Sequence, residues 1–165
     1  MASRCNKIAP KTSQSISPLL DRVNLSILSQ LLAEPGIATR ELARRVGMSA
    51  PAVAERMLRL RDSGVIRRQW LEIDAASIGL GVTAFVRVRP MPGGLQKVIK
   101  LAQATPQVIE CHRVTGEDCL IMKVVAASIA ELESLLDGFL AFGNTSSAVV
   151  VSSPVPLRHP PLPEI

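Results

Sequence analysis

The sequence predicts an α+β chain in two units, a small helical head followed by a unit in which strands and helices alternate. Three observations carry this prediction. Apolar residues recur with a helical period as far as Asp62, and after Gly64 the period shortens towards two. The charge divides near the same place: residues 1–68 hold 12 Lys and Arg against 5 Asp and Glu, and residues 69–165 hold 7 against 9. The 165 residues, 47% hydrophobic and 20% charged, are globular in composition and suffice for one ordinary domain or two small ones.

The head begins after a tail, residues 1–17, rich in Ser, Lys, Asn and Thr and expected to be frayed. Leu19 to Glu34 reads as a helix, with Leu20, Val23, Ile27, Leu28 and Leu31 as its apolar stripe. Asp21 falls in its first turn, where a negative charge suits the helix dipole, and Pro35-Gly36 ends it. A second helix is expected over Arg40–Val46, a turn at Gly47-Met48-Ser49, and a third helix over Ala50–Asp62. Ser49 is a suitable N-cap, and Pro51 lies in the first turn, where a missing N–H costs nothing. Leu42, Ala43 and Val46 share one face of the second helix; Val53, Met57 and Leu60 share one face of the third. Two short helices joined by a tight turn containing Gly make the helix-turn-helix pattern, assigned to residues 18–64.

Residues 65–80 are read as a connecting strand and hinge. Val65–Ile73 alternates, but neither side is cleanly apolar, as expected of a connecting ribbon or a wing. The second unit is assigned to residues 81–153. Its expected order is strand Gly81–Pro90, helix Gly93–Ala104, strands Gln107–Thr115 and Cys119–Ala126, a helix capped by Ser128, and strand Ser146–Ser153. Ser128 with Glu131 forms a capping box. The order βαββαβ is that of a ferredoxin-like (ACT-like) sandwich, with helices on one sheet face and Phe85 and Arg87 on the open one, which a second subunit would cover. Residues 154–165 read as a Pro-rich arm.

Composition narrows the function classes. A basic head on a mildly acidic body points to a polyanion as the partner of the head alone. Aromatics at 2% disfavour stacking platforms for single strands. Cys5, Cys111 and Cys119 form no CxxC knuckle, and His112 has no ligand cluster around it, so no metal is expected. Cys111 and Cys119 flank one turn; a redox pair and two packed thiols are both open readings. Without a nucleophile–base arrangement or phosphate loop, no enzyme and no cofactor are expected. No run approaches the ~20 apolar residues that span a bilayer, no secretory signal is evident, and a cytoplasmic protein is expected.

The segments LLDRVNLSIL, ELARRVGMSAPAVAERMLRLRDSGVI, PQVIECHRVTGEDCLIMKV and FGNTSSAVVVSSPV, with Ile73-Asp74 and Leu80-Gly81, resemble the leucine-responsive regulator/AsnC (feast/famine) family of transcription factors. The resemblance covers about Leu19 to Arg158. It implies a sequence-specific DNA-binding regulator, a homodimer or larger oligomer up to octamers and beyond, with small effectors such as amino acids held between C-terminal domains. Two positions depart from the family pattern. Asn24 stands where many members have a second Asp, and Cys119 stands at the effector-loop Asp.

For double-stranded DNA the candidate contacts are Thr39, Ser49, Ala50, Pro51, Ala52, Val53, Glu55, Arg56, Arg59, Arg67 and Arg68. The start of the third helix would face base edges and the arginines mainly phosphates, since phosphate contacts fix register without carrying sequence information. Arg56 or Arg59 tied to a carboxylate or to the domain core is the competing reading. The effector candidates are Thr115, Gly116, Glu117, Asp118, Cys119, Thr145, Ser146 and Ser147. Hydroxyls and free N–H groups suit a carboxylate, and Glu117 and Asp118 suit an ammonium; a plain β-turn would use the same residue types. The alternative to a DNA-binding regulator is a small-molecule-sensing module whose helical head mediates protein contacts.

Overall fold

The computed structural model describes residues 19–69 and 71–164. The expected tail, Cys5 and Trp70 lie outside these residues. The chain forms two compact units, one reaching residue 70 and taking back residues 157–165, the other covering 71–156.

The helical unit contains α1 (Arg22–Ala33), α2 (Thr39–Arg45) and α3 (Ala50–Asp62). Asp21 is the N-cap of α1 rather than part of its first turn, and its carboxylate accepts from the Asn24 backbone N–H at 2.7 Å. Ile27, Leu28, Leu31, Leu42, Ala43, Val53, Met57 and Leu60 form a closed aliphatic core. Gly47, at φ 67°, makes the tight turn between α2 and α3, a left-handed conformation that a side chain would strain. Ser49 caps α3 by accepting from the Ala52 N–H. Glu41 pairs with Arg44 and Arg45, and Arg45 also reaches Glu34, so α2 is tied to the end of α1. At the far end of the chain, Leu162 packs against this same core.

The expected strand at Val65–Ile73 is absent from the described residues of that segment. Alternation alone gives its backbone no partner, and a strand needs a neighbouring ladder. Instead the Ile66 N–H bonds back to the Leu60 carbonyl at 2.9 Å, and Val65 and Ile66 pack on the helical core. In the hinge the Asp74 carboxylate accepts from the Ala76 and Ser77 N–H groups at the start of a short 3-10 turn, Ala76–Ile78.

The second unit contains β1 (Val82–Pro90), α4 (Leu95–Ala104), β2 (Val108–Arg113), β3 (Leu120–Ala126), α5 (Ile129–Leu140) and β4 (Gly143–Val149). The antiparallel sheet has the order β2-β3-β1-β4, the ferredoxin-like arrangement. Ala84, Val86 and Val88 alternate inward from β1 to meet Leu120, Met122 and Val124 of β3, with Val98, Ala102, Leu132 and Phe139 closing the core from the helices. Phe85, Arg87 and Arg89 alternate outward and are exposed. β4 starts three residues earlier than expected because Gly143 already pairs with Pro90. A Cβ on Gly143 would sit 2.4 Å from the Arg89 carbonyl oxygen, so only glycine allows this approach. Cys111 lies opposite Met122. That leaves it three residues along from Cys119, roughly 10 Å at ~3.3 Å per residue, beyond disulfide reach.

Candidate nucleic-acid interface and effector loop

The residues of α3 divide by helical period. Val53, Met57 and Leu60 are buried, whereas Pro51, Ala54, Glu55, Leu58, Arg59 and Arg61 are exposed. Val53 has no exposed surface, which removes it from the base-reading candidates. Its helical spacing with Met57 and Leu60 already marked it as core. Ala50 and Ala52 are partly exposed near the N-terminus of the helix, beside the exposed Ser49.

The arginines are in different states. Arg59 is ion-paired with Glu55 one turn earlier, both side chains being exposed. Arg56 is held inside the unit: its guanidinium donates from Nη1 to Asp21 Oδ2 at 2.7 Å and to Asn24 Oδ1 at 3.1 Å. The Asn24 N–H and the Arg56 guanidinium together hold the Asp21 carboxyl below its usual range. These groups line a cleft of about 370 Å³ with Leu19, Met48, Ala52, Glu55 and Arg59. Arg67 and Arg68 follow α3 and are exposed. Thr39 opens α2 with its side chain exposed and making no hydrogen bond among the described residues. Next to it, Arg40 is exposed and, among the described residues, unpaired. Arg40 was missing from the sequence candidates; its place just inside a helix start beside Thr39 was the available signal. Arg61 bonds Gln69, which in turn donates to the Pro35 carbonyl.

The loop between β2 and β3 carries five of the eight effector candidates. Gly116 has φ 111° and Cys119 has φ 57°, making Cys119 the one described non-glycine residue with positive φ. The Val114 N–H closes the loop onto the Cys119 carbonyl at 2.8 Å. Glu117 is ion-paired with Arg89 of β1. The Thr115 and Asp118 side chains make no hydrogen bond among the described residues. Leu120, Val88 and Thr145 lie at one level across β3, β1 and β4, so Thr145 and the loop share an end of the sheet with β1 between them. Ser146, opposite Arg87, belongs to the open face; Thr145 and Ser147, opposite Val88 and Val86, belong to the helix-covered face. The three hydroxyls therefore do not converge on one ligand.

Residues 11–67 match the winged helix-turn-helix DNA-binding family model, and residues 83–160 match the Lrp/AsnC ligand binding domain. The transcriptional regulator YezC of Bacillus subtilis (strain 168) is 35% identical over 81% of this chain and 95% of its own length. The chain belongs to the Lrp/AsnC family. The structure of B. subtilis LrpC matches with a TM-score of 0.76 at 28% identity, covering 81% of this chain and 95% of LrpC. A feast or famine regulatory protein from M. tuberculosis, solved in complex with L-methionine, matches at 0.78 and 26% identity over 85% and 97%. Like its relatives, this Lrp/AsnC chain is a DNA-binding transcriptional regulator, with α3 as the second helix of its helix-turn-helix.

Proposed function

We propose that this regulator acts in the cytoplasm as a homo-oligomer on specific double-stranded sites, and that an amino acid bound at its C-terminal sheet unit modulates it. The observation that carries the DNA reading is the exposed side of α3. There Pro51, Ala52 and Glu55 lie towards the helix N-terminus, the end from which a helix-turn-helix reads base edges. Arg59, Thr39, Ser49 and Arg40 flank that edge as phosphate ligands, with Arg67 and Arg68 following. The Glu55–Arg59 pair is exposed and worth at most ~1 kcal/mol, so Arg59 is cheaply released to a phosphate. A dimer places two such helices about one helical turn, ~34 Å, apart and therefore favours palindromic sites.

For the effector, Asp118 is the loop's free carboxylate, because Glu117 is already neutralised by Arg89. Asp118 receives the α-ammonium while the Thr115 hydroxyl and the N–H groups of Gly116 and its neighbours receive the carboxylate. Cys119 completes the loop side of the site and Thr145 lies at the same end of the sheet across β1; Ser147 lies farther along β4, and Ser146 and Phe85 lie on the face that a second copy covers. Modulation then requires different effector affinities for the DNA-competent and incompetent arrangements.

Fluorescence anisotropy on the chain's own promoter region tests the DNA reading. Arg59→Ala should weaken binding and lower the salt slope by about 0.9 for each bound protomer; an unchanged slope removes Arg59 from the contacts. Calorimetry against a panel including L-methionine tests the effector, with Asp118→Ala abolishing any heat. Heat that survives Asp118→Ala places the amino acid elsewhere.

A further inference from the structure

The cleft between α1 and α3 holds a polar cluster that DNA contact does not explain. Asn24 is the one buried polar residue among those described, 4% exposed in an otherwise aliphatic core. Both ends of its amide are used: Nδ2 donates to the Leu19 carbonyl at 2.6 Å, and Oδ1 accepts from Arg56 at 3.1 Å. A carboxylate here could accept from Arg56 but would face the Leu19 carbonyl without a proton to donate. The negative charge that Arg56 needs comes instead from the N-cap Asp21, whose Oδ1 accepts from the Asn24 N–H and whose Oδ2 accepts from Arg56, both at 2.7 Å. One carboxylate thus joins the start of α1 to the middle of α3 across 35 residues of sequence.

Arg56 follows Val53 by three residues and precedes Leu60 by four, so its side chain leaves α3 at the rim of the core, while Arg59, one turn on, stays on the exposed side. An aliphatic core sets the rotation of a helix through the shape of its interdigitating side chains, since Val, Met and Leu contacts carry no bond direction. A guanidinium hydrogen-bonded to two oxygens of another helix does have direction.

We propose that the Asp21–Arg56–Asn24 clasp fixes the rotational setting of α3, so that Arg56 is a positioning residue for DNA recognition and not itself a phosphate or base ligand. Asp21 supplies the charge and Asn24 supplies the direction. The proposal rests on the head binding DNA, which the wild-type protein tests independently in the same assay. Releasing Arg56 does two things. It loosens the setting of α3 and so lowers affinity for the specific site, and it frees a cation at the groove, which raises affinity for unrelated DNA.

The test uses the full chain, a specific promoter fragment and an unrelated duplex, each titrated with salt. Arg56→Ala should reduce the preference for the specific fragment about tenfold or more, with the salt slope on both duplexes unchanged, because no phosphate contact is lost. Asp21→Asn keeps a good N-cap but removes the charge; it should reduce the preference while raising the slope on unrelated DNA by up to about 0.9 for each bound protomer as Arg56 becomes available. Adding Asn24→Asp to Asp21→Asn returns a charge to the cleft and should recover at least part of the preference. A slope lower by about 0.9 for each bound protomer in Arg56→Ala on both duplexes would make Arg56 a phosphate contact and overturn the proposal. No change in preference in Asp21→Asn would also overturn it. If Arg56→Ala does not fold, the Asp21→Asn single and the double variant decide alone.

Discussion

Replacing Cys119 with glycine should stabilise the sheet unit. Cys119 has φ 57°, a left-handed conformation in which its Cβ crowds the following carbonyl, and this costs roughly 1–2 kcal/mol for an L-residue. Glycine removes that cost but loses roughly 0.5–1 kcal/mol more backbone entropy on folding. The thiol subtracts little, since Sγ lies 3.8 Å and 4.0 Å from the Glu117 and Gly116 carbonyl oxygens, contacts at the weak end of sulfur hydrogen bonding. The net gain is about 0.5–1 kcal/mol, a melting rise of roughly 2–8 °C for a unit of this size. Thermal unfolding of the full chain followed by circular dichroism reads it. Cys119→Ala is the control: it removes the same thiol and keeps the Cβ, so it should not gain. Equal gains from alanine and glycine would show that the sulfur, not the backbone, carries the cost. A glycine variant melting no higher than wild type would refute the strain argument altogether.

Three further perturbations have definite signs. Gly143→Ala drives a Cβ to 2.4 Å from the Arg89 carbonyl oxygen and 2.8 Å from Pro90 Cα, both backbone atoms of the paired strand, and should cost about 3 kcal/mol in a urea titration, the upper end for overpacking; an unchanged midpoint would mean that β4 shifts freely. Leu162→Ala should destabilise the helical unit by about 1 kcal/mol, since Leu162 is half-buried against its core and full burial is worth roughly twice that, and hydrogen exchange of the core amides should quicken accordingly. The Glu41 carboxyl is lowered from 4.5 to about 2 by the Arg44 and then the Arg45 guanidinium, so its stabilising effect is present above pH 4.5 and lost as pH falls towards 2. Glu41→Gln should therefore flatten the acid limb of the stability curve over that window, measured as urea midpoints at pH 5 and pH 3.

What the sequence made legible was what repeats locally. The three helices of the head follow from the stripes at Ile27, Leu28, Leu31 and at Val53, Met57, Leu60, and the βαββαβ order follows from alternating periods. The ribbon at Val65–Ile73 failed for the complementary reason: alternation describes a strand's faces, whereas a strand exists only through its partner's backbone, and none is available there among the described residues. The start of β4 was hidden because Gly143 and Asn144 read as a turn until their partners Pro90 and Arg89 are known. The ferredoxin-like unit predicts where the loop at Thr115–Cys119 falls, but the pairing of Glu117 with Arg89 joins residues 28 apart and has no local signature. Ser146 differs from its neighbours for a simpler reason that was present in the sequence, since adjacent strand residues face opposite ways.

The head's charge illustrates the same limit and bears directly on how the protein holds DNA. Counting residues 1–68 gives a strongly basic lobe, and that sum governs the long-range field which draws the head to a polyanion. It does not count contacts. Arg44 and Arg45 are engaged by Glu41, Arg45 also by Glu34, Arg59 by Glu55 and Arg56 by Asp21, so four of the head's arginines already have carboxylate partners. These pairs differ in how easily they open. The Glu55–Arg59 pair, with both side chains more than 60% exposed, is weakly held, whereas Arg56, 30% exposed and bonded to two residues, is held more firmly. A salt titration registers phosphates neutralised, not net charge, and so distinguishes cations that grip DNA from cations that shape the helix presenting them. On α3 the exposed pair of Arg59 and the clasped Arg56 stand one turn apart, and residue type and spacing alone do not tell them apart.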